Sequence, residues 1–281
     1  MTHLETTVSG HYTSDASVTD KLAAIDANLS DAGVDPARAT IAELAPHDQL
    51  HTRGPSATVK MIEALGPSAD DHVLDVGCGM GGPARQLAQS IGCRVSAIDL
   101  TPEFIGVADA LNERLGMSGH VDFQVASALK LPFEDSQFNA AWTLHMSMNV
   151  ENKPQMYAEI FRVLRPGGRF ALYDPIAGLA GSPFYPAPWA KEESYSFLLK
   201  PAEMRATIER AGFETISFSE LNADAMAWFT ELDRKNEAIP EDLKQKMAAR
   251  RSPGFAAAMV NHRKNIADNR ITLVQGVFQK P

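Results

Sequence analysis

Val73-Leu74-Asp75-Val76-Gly77-Cys78-Gly79-Met80-Gly81-Gly82 is the stretch from which the rest of the chain can be read. Apolar residues run into a single acid, and four glycines then fall within six positions. The pattern predicts a buried strand ending in a turn where the backbone passes close to a ligand. Glycine suits such a turn because it accepts positive φ and has no Cβ to hold a ligand away. Pro83-Ala84-Arg85-Gln86-Leu87-Ala88 reads as the first turns of a helix, with proline suited to its start. Strand, glycine turn and helix form the first half of a nucleotide-binding βαβ unit.

A glycine turn alone is weak evidence, and a second acid strengthens it. Arg94-Val95-Ser96-Ala97-Ile98-Asp99 reads as the next strand, with Asp99 at its carboxyl end, where an acid would grip a ribose diol. Nicotinamide enzymes share that logic, but their G-x-G-x-x-G turn lacks an acid just ahead of it. With Asp75 before Gly77, Gly79, Gly81 and Gly82, the stretch resembles the class I S-adenosylmethionine (SAM)-dependent methyltransferases.

Around this core the chain alternates. Strands are expected near residues 72–76, 94–98, 121–125, 138–144, 169–174, 214–219 and 271–278. Helices are expected near 56–65, 82–91, 103–115, 154–164 and 201–211. Short links between alternating elements predict a parallel α/β sheet. The resemblance implies a Rossmann-like, seven-stranded, mostly parallel sheet flanked by helices, its last strand antiparallel, with a helical and loop lid. Residues 1–55 are expected as an N-terminal cap: a polar arm over 1–20, then helical spacing over 19–32 and 38–46. Residues 56–281 are expected as the SAM-binding domain. Insertions at about 176–200 and 222–265 would cover the carboxyl edge of the sheet, where open α/β folds bind ligands.

The 281 residues fit one large domain or a domain with a lid, and 44% hydrophobic content supports a substantial core. A net charge of −9 argues against a broad nucleic-acid surface and is read simply as solubility. Cys78 and Cys93 are the only cysteines, and they suggest neither a secreted disulfide framework nor a zinc site. No apolar run of 18 residues is present, and the first residues do not resemble a signal peptide. The expectation is a cytoplasmic protein without metal, nucleic-acid or membrane partner, compatible with a homo-oligomer.

The resemblance carries site residues with it. Asp75, Gly77, Gly79 and Gly81 would hold the methionine half of SAM, although Asp75 can alternatively cap a strand end. Asp99 would accept the ribose hydroxyls, and Leu100 would lie against adenine. The family usually has Asp-Ala at the next contact. This chain has Ser127-Ala128, which leaves a neutral hydroxyl and the Ala128 N–H. Leu144 and His145 end the fourth strand beside the sulfonium. His145 reads equally as a base or as a packed strand-end residue.

Methyl transfer from a sulfonium needs orientation and exclusion of water more than acid–base help. Acceptor identity therefore lies in the lid. Asp48-Gln49-Leu50-His51-Thr52-Arg53-Gly54, Tyr185-Pro186-Ala187-Pro188-Trp189-Ala190 and Leu273-Val274-Gln275-Gly276-Val277-Phe278 are similar to segments of sarcosine and dimethylglycine N-methyltransferases. On that likeness Arg53 would fork onto an acceptor carboxylate. His51 would orient the amine or take its proton. Tyr185 and Trp189 would stack on a methylated ammonium, or else pack the lid. The expected function is N-methylation of a small amine or amino acid. The alternatives are O- or C-methylation of a quinone, phenol or isoprenoid, and a SAM-binding protein without catalysis.

Overall fold

The computed structural model describes residue 10 and residues 16–250 and 254–281. Most of the arm expected over 1–20 lies outside them. Seven strands form one sheet in the order β3-β2-β1-β4-β5-β7-β6. They are β1 His72–Val76, β2 Arg94–Asp99, β3 Val121–Val125, β4 Phe138–Leu144, β5 Leu164–Ala177, β6 Glu214–Glu220 and β7 Ile271–Gln279. β1, β2, β3, β4 and β5 run parallel, and β7 pairs antiparallel with both β5 and β6. This is the Rossmann-like, seven-stranded, mostly parallel sheet expected from the sequence.

The described helices of eight or more residues are α1 Val18–Asp31, α2 Ile41–Asp48, α3 Pro55–Leu65, α4 Gly82–Ile91, α5 Pro102–Arg114, α6 Lys153–Val163, α7 Pro201–Arg210, α8 Asn222–Glu237, α9 Glu241–Ala249 and α10 Phe255–Ala267. α2 starts three residues later than its spacing predicts, because Thr40 and Glu43 close a capping box there. β5 starts five residues earlier than expected. Pro166-Gly167-Gly168 lies within its first residues, where the pairing with β4 shifts register between Phe138 and Ala140. The Gly167 N–H and Gly168 carbonyl there bond the Lys280 backbone, which draws the segment into the sheet.

Alternation along the strands sends side chains to two apolar layers. Val73, Val95, Trp142 and Tyr173 face α3, α4 and the lid segments. Leu74, Ile98, Ala141 and Leu172 face α6 and α7. A third cluster joins Ile25, Leu29 and Leu44 of the N-terminal segment to Met80, Val107 and Leu111, seating that segment beside the glycine turn. The connection 178–200 is stitched to α10: Asn265 bonds the Phe184 backbone twice, at 2.7 and 3.0 Å, and Asn261 donates to the Pro186 carbonyl at 3.0 Å. No helix among the described residues is long and apolar enough to cross a membrane.

β1 and β4 are neighbours, while β2 and β3 lie on the other side of β1. Strand order thus reverses at β1/β4, which opens the crevice where such sheets receive ligands. The glycine turn after β1 and His145 after β4 flank that crevice.

Candidate functional site

The glycine turn is anchored before any ligand arrives. The N–H groups of Gly77 and Cys78 both donate to the Ile98 carbonyl, at 2.8 and 2.9 Å. Gly79 donates to Asp99 Oδ2 at 2.9 Å, and Thr101 donates to Oδ1 at 2.9 Å. Asp99 is therefore held by two backbone bonds at the end of β2, with lone pairs remaining on both oxygens. Burial still raises its carboxyl pKa, against the pull of those bonds. Leu100 follows it, half-buried.

Gly77, Gly79 and Gly81 have φ of 84°, 54° and 80°, which explains glycine at each. A Cβ on Gly77 would strike Met146 and one on Gly81 would strike Phe123, so these two permit close packing. Gly79 has nothing within 4 Å of where its Cβ would sit, and its surface is the one free to face a ligand. Asp75 is buried beneath the turn with Oδ2 lacking a partner, and burial pushes its pKa up to about 7. A buried carboxyl short of a partner, a glycine surface with open space and a fixed acid one strand over fit the ammonium, the chain and the ribose of SAM. Ser127 and Ala128 lie past the end of β3, half-buried, and the Ser127 hydroxyl accepts from the Leu129 N–H at 3.1 Å.

The second half of the site is a histidine cluster. Leu144 is buried at the end of β4, and the next residue, His145, takes a left-handed φ of 50°. Its N–H bonds the Tyr173 carbonyl, while Asp174 accepts the next N–H, from Met146, at 2.8 Å. β4 thus ends abruptly, and the His145 ring lies 5.1 Å from that of Tyr173, 6.0 Å from His51 and 6.5 Å from His262. His51 Nε2 meets the Gly54 carbonyl at 2.9 Å. A carbonyl can only accept, so Nε2 carries the proton and Nδ1 is the lone-pair atom. His262 Nε2 pairs with the Thr52 hydroxyl at 2.7 Å, leaving Nδ1 unpartnered, as is His145 Nε2.

Burial drives the pKa of His51 and His262 down to about 4 and that of His145 well below its ordinary value. All three imidazoles are neutral at pH 7. They do not form a metal cage: among the described residues, no group of three or more His, Cys, Asp or Glu is placed to hold an ion.

Arg53 stands at the rim with a left-handed φ of 69°. Its guanidinium lies 3.6 Å from Asp224, an exposed acid on α8, and bears on the Tyr173 hydroxyl. That hydroxyl donates to the Thr52 carbonyl at 3.1 Å. Tyr185 and Trp189 are placed differently from the stacking pair expected of them. Trp189 is 1% exposed, its indole N–H donates to Ser196 at 2.9 Å, and its ring meets His262 edge-on at 5.7 Å. Tyr185 packs half-buried against the same core. In this structure both serve the wall behind the histidines.

Sequence reasoning missed His262, Tyr173 and Thr52. Asn261-His262-Arg263 matches no motif, and its helix reaches the site only through the lid stitching. Tyr173 reads as a core strand residue, which in part it is. Two clefts, of about 540 and 300 Å³, open on the opposite edge of the sheet, around Arg38, Arg114 and His120 and around Asp71 and Gly167. Neither reaches the glycine turn.

Comparison with known proteins agrees with this geometry. Residues 74–172 match the family model described as a methyltransferase domain. The methyltransferase GfsG of Streptomyces halstedii is 36% identical over 127 residues, 45% of this chain and 46% of that protein. The O-methyltransferase resE of Aspergillus sclerotiorum is 28% identical over 200 residues, 68% of this chain and 74% of that one. This chain thus spans under half of the first relative and about three quarters of the second. Among solved structures, phosphoethanolamine N-methyltransferase 2 of Haemonchus contortus superposes with a TM-score of 0.72 at 20% identity, covering 83% of this chain and 55% of that one. At that identity the likeness concerns the fold.

Proposed function

We propose, from the premise that this chain carries a class I SAM-dependent methyltransferase domain, that it methylates the nitrogen of a small amine bearing a carboxylate, of the glycine, sarcosine or dimethylglycine kind. When bound, SAM supplies an electrophilic methyl group on a sulfonium. Asp75 would meet its ammonium, Asp99 its ribose hydroxyls, and the Gly77–Gly81 backbone its chain. Ser127, Ala128 and Leu100 would border the adenine.

The observation that carries the acceptor reading is the Arg53 guanidinium at the hydroxyl of Tyr173, whose ring adjoins those of His51 and His145. Arg53 would exchange its long contact with Asp224 for the acceptor carboxylate. His51 Nδ1 would accept an N–H of glycine or sarcosine and aim the nitrogen lone pair. Neutral histidines add no positive charge next to a sulfonium, and the buried ring wall of Tyr173, Trp189 and Phe229 excludes water. The acceptor nitrogen has to be unprotonated to attack, so the rate should rise with pH until the amine is neutral.

A second reading, methylation of a hydroxyl or a carbon, draws on the same wall. His262 is met edge-on by Trp189 and Phe229, an apolar setting that suits a phenol, quinone or isoprenoid. The relatives do not choose between the two, since one is named an O-methyltransferase and one structural neighbour an N-methyltransferase. The test is incubation with methyl-labelled SAM and a panel of acceptors, with products identified by mass. Label on glycine, sarcosine or dimethylglycine supports the N-methyl reading. Label on a neutral phenol or quinone, with those three inert, transfers the case to the second.

A further inference from the structure

α2 ends at Asp48, against the helix that opens at the glycine turn. Arg85, on the first turn of α4 and fully buried, donates to Asp48 Oδ2 at 2.8 Å, to the Met80 carbonyl at 2.6 Å and to the Ala108 carbonyl at 3.1 Å. Asp48 sits so close to Gly82 that a Cβ there would run into its carboxylate. One residue on, Gln49 Nε2 donates to Gln86 Oε1 at 2.7 Å, and Gln49 Oε1 accepts from the Thr58 hydroxyl at 2.7 Å. That hydroxyl lies 3.3 Å from His51 Nε2.

A hydroxyl has one hydrogen to give, and Thr58 gives it to Gln49. Thr58 therefore meets His51 as an acceptor, and the Nε2 proton is shared between Thr58 and the Gly54 carbonyl. Both contacts enforce the same tautomer, with the lone pair on Nδ1. A run of polar contacts thus leaves Gln86 of α4, passes through Gln49 and Thr58 and ends on an imidazole of the histidine cluster. Asp48, bonded to Arg85, joins it through the backbone next to Gln49. Gln49, Thr58 and His51 are buried and Gln86 is half-buried, so water can compete only at the outer end of the run.

We propose that Gln49 and, through the backbone, Asp48 are positioning residues that couple the cofactor turn to His51, so that a cofactor seated on the turn tightens the orientation of that ring in the tautomer its contacts already enforce. The coupling rests on the cofactor reading of the turn and is independent of which acceptor is used. It is reciprocal: whatever fixes His51 also tightens the turn around its ligand.

The test uses the full chain labelled with ¹⁵N-histidine, with the His51 resonances assigned through His51→Gln. S-adenosylhomocysteine is titrated while its affinity is measured by calorimetry. In the unaltered protein, saturation should shift and sharpen the His51 signals. Gln86→Ala cuts the run from the half-buried side of α4, and Gln49→Leu cuts it in the middle. Gln86→Ala should keep the affinity within about threefold and lose most of the His51 response. Gln49→Leu should lose that response as well. Asp48→Asn, which leaves Arg85 without its anionic partner, should weaken binding about tenfold or more. His51 signals that move equally in all variants, or that stay still in the unaltered protein while the ligand binds, would overturn the coupling. Absence of any binding heat in the unaltered protein would overturn the cofactor site itself and the coupling with it.

Discussion

Among single residues, the two acids proposed to hold the cofactor, Asp99 and Asp75, stand in different settings. Asp99 accepts backbone bonds from Gly79 and Thr101, so removing it would free two N–H groups and, on the proposed reading, remove the ribose contact. Asp99→Ala should weaken S-adenosylhomocysteine binding by about 1–3 kcal/mol in calorimetry while the protein stays folded. Asp75 differs in being buried with an oxygen unpartnered and a pKa raised to about 7. A ligand ammonium favours the ionised carboxylate and lowers that value. Ligand affinity should therefore be greatest above pH 7 and decline toward pH 6, as protonation of the free protein competes with binding. Asp75→Asn should flatten that part of the affinity–pH profile. A slope unchanged in the variant would place the ammonium elsewhere.

At the scale of elements, the site depends on how the ends of β1, β2 and β4 meet the segments that cover them. Trp189 shows what the cover contributes. Its side chain is fully buried, tied to Ser196 and packed on His262, so Trp189→Ala should cost about 3–5 kcal/mol in urea unfolding. An effect on turnover with stability unchanged would restore a direct substrate role. Arg53 tests the opposite case. Its guanidinium meets an exposed acid at a long 3.6 Å and bears on the neutral Tyr173 hydroxyl, so its removal should cost stability far less than that of Trp189. Arg53→Ala should raise KM for a carboxylate-bearing acceptor far more than KM for SAM. Equal effects on both would indicate a folding role.

The same contrast explains what the sequence made legible. Glycines at positive φ and acids at strand ends are local requirements, so the strand, turn and helix around Asp75, Gly79 and Asp99 could be read from spacing. The roles of Asp75 and Gly79 toward a ligand came with the family resemblance. His262 and Tyr173 join His51 only because Asn265 and Asn261 stitch the lid to α10 and because β5 lies beside β4. Those are contacts between distant segments, and no local period announces them. Trp189 was read from its chemistry, and its direction, inward to Ser196, is a property of the packed lid.

At the scale of the whole molecule, strand order reverses between β1 and β4, and that one topological fact sets the glycine turn opposite His145. The N-terminal segment supplies His51 and Arg53 to this end of the sheet, and α10 supplies His262, which bonds Thr52 between them. On the proposed reading, one crevice holds SAM on the glycine turn and presents its methyl group to the histidine cluster. A crystal structure with S-adenosylhomocysteine tests this most directly. It should show the ribose on Asp99, the ammonium on Asp75 and the sulfur facing the cluster of His51, His145 and His262. A ligand bound away from the turn, or a sulfur directed away from those histidines, would contradict it.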